Sequence, residues 1–323
     1  MKEPGLYSYQ RSLNEENTLD WLPQIAVRIA ILDMNNGARN IGVRNIKRII
    51  EQFSHKVRTT HPQVDFEVNH FHVRDRGEVP DASYDIYISS GGPGNPMEDD
   101  GQDYEIRFFN LLDELIDHNA ARENKKFVFG ICHSFQMMAK KFAVAEISKR
   151  ESRNIGVVPI VKTPEGQKDV LFEGLQEKFY AFDNRDWQVV NPDRQKLSQL
   201  GASILSYEFN GHEAGKAVTA IRYTPEIETV QFHPEAEKHG ILMRFSDPGE
   251  KEHIVELLGE AKFDELIQSL NNPDKLMRTY KTVLPGFLWR SYNQLMRYYE
   301  MPQLEKINAA VAMKPLNFSD FHN

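Results

Sequence analysis

A single cysteine stands in 323 residues, and its neighbours suit it to nucleophilic chemistry. Cys132 follows the apolar run Lys126-Phe127-Val128-Phe129-Gly130-Ile131 and precedes the helical stretch Met137-Met138-Ala139-Lys140-Lys141-Phe142. A sharp strand-to-helix turn there pushes a thiol out at the carboxyl end of a sheet, and a helix N-terminus stabilises a thiolate. A buried, inert cysteine closing a strand is the plainer alternative for this stretch alone. Farther on, Val230-Gln231-Phe232-His233-Pro234-Glu235 offers a base. Residues i and i+2 of an extended chain share a side, and Pro234 keeps His233 extended. Glu235 can then accept from one ring nitrogen and leave the other for a thiol, as a Cys–His–acid relay requires. Taken alone, the tripeptide reads more readily as a surface His and Glu ending a strand. The third element is Ser89-Ser90-Gly91-Gly92-Pro93-Gly94, whose glycines let backbone N–H groups approach an oxyanion; an ordinary turn also explains it. It is no phosphate loop, because no Lys-Ser/Thr pair follows, and Gly211–Lys216 is one residue short of that motif and runs into Ala217.

Strands must end where these residues begin. Val27–Asp33, Phe66–Val73, Tyr84–Ser89 and Lys126–Ile131 read as strands, with helical spacing over Ile41–Phe53 and Tyr104–Ala121. This alternation predicts βαβ units and a mostly parallel sheet. Ile155–Val161, Ser203–Phe209, Val218–Tyr223 and Thr229–Phe232 read as further strands, an antiparallel extension of the same sheet or a small second one. Residues 1–24 are polar and turn-rich, an N-terminal arm; 25–245 form the body. From 246 to 323 the pattern is helical, a C-terminal extension whose aromatic stretch Phe287–Tyr299 is expected to pack on the body, with partner docking as the alternative. His70 and His72 alternate along a strand, a spacing metal ligands use. No carboxylate accompanies them in sequence, so ordinary strand residues are expected.

Composition narrows the function classes. Lys+Arg number 39 against 47 Asp+Glu, a formal charge of −8, which disfavours nonspecific nucleic-acid binding. Hydrophobic residues at 40% and aromatics at 11% are ample for a core and argue against disorder. No apolar run approaches the ~20 residues of a membrane span. The first twenty residues hold no apolar core of a secretory leader, and one cysteine permits no intrachain disulfide and no Cys-based zinc cluster. A cytoplasmic location is the expectation.

Together and in this order, the three elements resemble the class I glutamine amidotransferases over roughly Ile25 to Phe245, and look closest to the amidotransferase domain of GMP synthase. The resemblance implies an α/β fold, a flavodoxin-like three-layer sandwich around a mostly parallel central sheet, here with a C-terminal helical appendage. It implies Cys132 as nucleophile, His233 as base and Glu235 as the base's orienter. The Gly92 and His133 N–H groups would form the oxyanion hole. Gln136 would help hold glutamine, and Asp186, in Asp183-Asn184-Arg185-Asp186, would bind substrate where the family often carries Ser-His-x-Asp. Ser134 stands where the family has glycine. A side chain at that tight turn is expected to crowd it by ~1–3 kcal/mol, so glycine there should keep or raise activity. No cofactor or metal is implied. These residues hold no Ser-Gly-Gly-x-Asp-Ser loop of an ATP-pyrophosphatase, since Ser90-Gly91-Gly92 runs into Pro93-Gly94. The expected partner beyond glutamine is therefore a separate ammonia-accepting synthetase, with no nucleic acid and no membrane, and the oligomeric state is left open. Two rivals are a self-contained γ-glutamyl hydrolase and a catalytically silent binding module in which Ser134 marks decay.

Overall fold

The computed structural model describes residues 25–305 apart from 38–39, 99, 210–213 and 271, so the expected arm at 1–24 lies outside the described residues. The first half alternates β1 (Ile25–Asp33), α1 (Ile41–Thr60), β2 (Val64–His72), the single turn α2 (Val73–Arg76), β3 (Ile86–Ser89), α3 (Asp103–Ala121), β4 (Phe127–Ile131) and α4 (His133–Lys141). Then come β5 (Glu146–Lys162), α5 (Pro164–Lys168), β6 (Lys178–Val190), α6 (Arg194–Leu200), β7 (Ser203–Phe209), β8 (Ala214–Thr224) and β9 (Ile227–Val230). Four helices finish the described chain: α7 (Lys238–Phe245), α8 (Pro248–Leu258), α9 (Glu260–Leu270) and α10 (Pro273–Tyr298).

The nine strands form one sheet in the order β2-β1-β3-β4-β9-β8-β6-β5-β7. Along β2-β1-β3-β4-β9 every pairing is parallel. From β9 onward every pairing is antiparallel, and β7 also pairs with β8. The mostly parallel sheet expected from sequence is therefore corrected to a mixed one, divided at β9. The antiparallel expectation for the later strands holds, and they extend the same sheet. The reason for the division is chain length between strands. Consecutive parallel neighbours need a crossover helix, which α1 supplies between β1 and β2 and α3 between β3 and β4; β6 to β9 are joined by shorter connections that reverse the chain.

Period-two alternation sends each parallel strand's side chains into two cores. Val27, Ile29 and Ile31 of β1, Ile86 and Ile88 of β3, and Phe127, Phe129 and Ile131 of β4 pack with Ile46, Ile49 and Phe53 of α1. Leu284, Phe287, Leu288 and Tyr292 of α10 close that same face, with Phe287 centred 5.0 Å from Phe129. Ala30, Leu32, Tyr87 and Val128 face the other way, onto Phe108, Leu112 and Leu115 of α3 and Met137 and Met138 of α4. The aromatic stretch at 287–299 thus packs on the body. A third cluster joins Phe182 of β6 to Ile241 and Phe245 of α7, Ile254 of α8 and Phe263 and Leu266 of α9. No helix among the described residues is long and apolar enough to cross a membrane.

Candidate active site

Cys132 caps α4 with φ 51° and ψ −99°, a left-handed conformation that costs a non-glycine residue roughly 1–3 kcal/mol. Neighbouring strands hold it there. Its N–H donates to Val230 O at 2.8 Å, and its carbonyl accepts the Gln136 N–H at 3.1 Å, the first turn of α4. Gly130 lets that turn close, because a Cβ would stand 3.0 Å from Thr229 Cγ2 and 3.1 Å from Met138 Sδ. The thiol is 5% exposed.

His233 reaches it from the neighbouring strand. Past β9 the chain first stays with β8, Gln231 N–H donating to Thr219 O, then bends to β6, His233 N–H donating to Phe182 O, both at 2.8 Å. The His233 ring bonds Glu235 Oε1 through Nδ1 at 2.8 Å and lies beside Cys132: a Cβ on Gly91 would stand 2.8 Å from His233 Cε1 and 3.3 Å from Cys132 Cβ. Glu235 is buried against the first turn of α1, where a Cβ on Gly42 would come within 2.9 Å of its Oε1. Burial alone would lower the imidazole's pKa. The Glu235 carboxylate and the Cys132 sulfur outweigh it by charge and hydrogen bonding, and hold His233 well above the usual histidine value. Gln231, which sequence reasoning passed over, donates to Sγ at 3.5 Å and is itself held by Gln136 Nε2 at 3.0 Å.

The glycine loop leaves β3 on the other side of β4. A Cβ on Gly91 would meet His233 Cε1 at 2.8 Å, and one on Gly92 would overlap Met34 O at 1.9 Å, so both positions require glycine. Among the described residues neither the Gly92 nor the His133 N–H has an acceptor. The His133 ring is buried and unpartnered there, and burial, then the nearby Arg74 and Lys140 charges, push its pKa down to about 3, so it is neutral. Ser134 is fully buried and its hydroxyl donates to Ser90 O at 2.7 Å, with Ser89 Oγ also at 2.7 Å. The expected crowding is replaced by a brace between α4 and the loop; the strained residue is Cys132. On the loop's far side Ser90 Oγ accepts from Met34 N–H at 3.0 Å and Asn40 Nδ2 at 3.2 Å.

A cavity of about 560 Å3 opens over the thiol, lined by Gly91, Gly92, Cys132, Gln136, Asp186 and His233 among others. It thus gathers six of the seven residues singled out from sequence, Glu235 among them; the seventh, His133, is buried and not part of the lining. Gln136 faces it, yet its amide N–H2 donates to Trp187 O and Gln231 Oε1, both at 3.0 Å. Asp186 is half-exposed, with Arg153 Nη1 at 3.9 Å. Arg185 was missed: it also lines the cavity, its guanidinium is 1% exposed, and it sits 2.9 Å from Asp183 Oδ2 and 2.5 Å from Glu208 Oε2. Its Nε makes no hydrogen bond among the described residues. Burial raises the Asp183 carboxyl above the usual range, with Arg185 and His233 opposing that shift.

Residues 43–240 match the sequence model of the class-I glutamine amidotransferases. Among solved structures, a glutamine amidotransferase from Thermotoga maritima superposes with a TM-score of 0.58 at 14% identity, covering 82% of this chain and 98% of that one. SMU.1228c gives 0.53 at 16% identity, covering 82% and 99%. A glutamine amidotransferase from Methylobacillus flagellatus gives 0.49 at 16%, covering 87% and 98%. At such identities the likeness speaks to the fold alone. No curated protein sequence matches. The match to the family model spans more than half of the chain, and on that ground the chain belongs to the class I glutamine amidotransferase family and is a glutamine-hydrolysing enzyme.

Proposed function

We propose that Cys132 attacks the side-chain amide carbon of glutamine, with His233 and Glu235 as its relay. The thiolate forms a C–S bond while the carbonyl oxygen takes negative charge, stabilised by the Gly92 and His133 N–H groups. The His233 imidazolium gives its proton to the departing nitrogen, the C–N bond breaks, and ammonia leaves a γ-glutamyl thioester. Water then attacks; His233 takes its proton, and glutamate departs as the thiolate is restored. Glu235 keeps the imidazole oriented. The observation that carries this reading is the convergence of Cys132, His233 and Glu235 at the ends of adjacent strands, with His233 bonded to Glu235 and set beside Cys132. Arg185 and Asp186 are placed to bind the α-carboxylate and α-ammonium of the substrate, while Gln136 acts through Gln231 on the sulfur.

The ammonia acceptor in this reading is a synthetase, GMP-synthase-like, supported by the match to the amidotransferase family model. The setting is cytoplasmic, and the unit is the flavodoxin-like body 25–245, on which the described part of the extension, up to 305, rests. The deciding experiment is glutamate release from glutamine by wild type and Cys132→Ala, alone and with a synthetase present. No release by wild type under either condition would return the chain to the binding-module reading. A second reading, the self-contained γ-glutamyl hydrolase, draws on the cavity, which at about 560 Å3 is roomier than free glutamine requires and reaches Met243, Arg244, Asp247 and Glu250 of the helical extension and its approach. High basal turnover of bulky γ-glutamyl amides would favour it.

A further inference from the structure

The parallel register of β1 and β2 supplies the carboxylate that the sequence around His70 and His72 lacks. Asp33 stands opposite His72, and Ile31 opposite His70. The two imidazoles lie on one side of β2, their ring centroids 4.5 Å apart. Asp33 Oδ2 is 3.1 Å from His70 Nε2, and one ligand atom from each of Asp33, His70 and His72 lies within 4.8 Å of the others. Tetrahedral donors at about 2.0–2.2 Å from a single ion lie roughly 3.3–3.6 Å apart, a spacing the three groups reach with small side-chain adjustments.

The surroundings prepare two of the three. Asp33 Oδ1 accepts from Asn35 N–H at 2.9 Å and Asn40 Nδ2 at 2.7 Å, which fixes the carboxylate and leaves Oδ2 for a ligand. Asp75 Oδ1 stands 3.6 Å from His72 Nδ1, the position from which a carboxylate orients a ligating imidazole. The third meets opposition. Lys47 Nζ lies 3.2 Å from His70 Nδ1, so an ion on Nε2 would put the ring proton on Nδ1, facing an ammonium. Lys47 is exposed and free to swing outward. Asp33 is buried, whereas the His70 and His72 side chains are 22% and 30% exposed, so an ion can enter from solvent.

We propose that Asp33, His70 and His72 form a three-ligand site for a divalent transition-metal ion of the zinc type, with its remaining coordination open to water. Two imidazoles and one carboxylate suit zinc or cobalt better than calcium or magnesium, which take oxygen ligands. The site is separate from Cys132 yet close to it in bonds: Asn40 Nδ2 donates both to Asp33 Oδ1 and to Ser90 Oγ of the glycine loop.

The test is titration of the full chain with Zn2+ by calorimetry and with Co2+ by visible absorption, in a Cys132→Ser background so that the thiol and His233 cannot form a rival site. One equivalent should bind, with a Co2+ spectrum of nitrogen and oxygen ligation. His70→Ala and His72→Ala should each weaken binding roughly 10-fold or more, circular dichroism confirming their fold. Lys47→Gln should tighten it several-fold by removing the opposing cation. No uptake of either ion at millimolar concentration, uptake undiminished in the double His variant, or affinity unmoved by Lys47→Gln would each overturn the assignment.

Discussion

In the parallel half of the sheet, β3, β4 and β9 are buried along their whole length, whereas β5 and β6 run 17 and 13 residues and mix buried with half-exposed positions. The short buried strands place backbone: Cys132, the glycine loop and the bend toward His233 each follow directly from a strand end. The long strands place charge: Asn184, Arg185 and Asp186 of β6 and Arg153 of β5 wall the cavity. In the proposed mechanism the reacting atoms sit on the rigid, apolar half, and the groups for the substrate's ends on the half with the long strands. Removing a residue from the first should act on kcat, and from the second on KM.

The largest effect should come from Cys132→Ala, a fall in glutamine turnover of about 10^4-fold or more. A glutamine-like electrophile should label wild type on Cys132 alone; labelling of Cys132→Ala at the full rate would remove the thiol from the mechanism. Within the same half, His233→Ala should cost far more turnover than Glu235→Gln, because the acid acts only by orienting and charging the base. Glu235→Gln should lower the His233 pKa toward its ordinary value, read by NMR titration of the ring. The sign for stability follows. A raised folded-state pKa contributes stability that is fully present below about pH 6.5, the unfolded value, and lost as pH rises through the raised one. The wild-type advantage over Glu235→Gln should thus shrink on the alkaline side. An advantage that grew with pH would contradict the ion pair.

Arg185→Met probes the other half. It should raise KM for glutamine roughly 10–100-fold, the worth of a hydrogen bond to a charged group, with kcat and iodoacetamide alkylation of Cys132 little changed. It should also destabilise the fold by about 3–5 kcal/mol, because Asp183 loses its buried cation and Glu208 one of its two arginines. A fall in kcat with KM unchanged would place Arg185 among the reacting groups and erase the division between the halves.

The same division decided what was legible in the sequence. Tyr84–Ser89 and Lys126–Ile131 are apolar runs ending in small residues, and the observed Ile86–Ser89 and Phe127–Ile131 lie inside them. β6 was not foreseen as a strand, because Asp183, Asn184, Arg185 and Asp186 interrupt its apolar pattern. The interruption is tolerated through partners distant in sequence: Asn154 donates to Asp183, and Arg185 bonds Glu208, which Arg150 also holds. The first half of β5, Glu-Ile-Ser-Lys-Arg-Glu-Ser-Arg, hid for a related reason, its charges being exposed or half-exposed on a strand whose first four residues are ordered by pairing with β6. Local pattern reveals elements whose burial is continuous; it is silent where long-range charge pairs do the stabilising. Asp33 beside His70 and His72 belongs to that second kind.

Ser134 should give the smallest effect and the sharpest view of the apolar half. As the second residue of α4 it has ordinary helical geometry, and its hydroxyl ties the helix to the Ser90 carbonyl one residue before Gly91. The expectation from sequence was that glycine here would relieve crowding. The bond predicts the opposite: Ser134→Ala should lose about 0.5–1.5 kcal/mol, and Ser134→Gly a further 0.5–1 kcal/mol, roughly, from helix entropy. Both should lower kcat a few-fold with KM unchanged, because the loop that carries the Gly92 N–H loses its tie to α4 while the charged wall is untouched. Chemical denaturation and steady-state kinetics on the two variants separate the contributions. If Ser134→Gly equals or exceeds wild type in kcat while Ser134→Ala falls, the side chain's bulk matters more than its hydroxyl. The glycine loop would then be held well enough by its bonds to Leu32, Met34, Asn40 and Arg74.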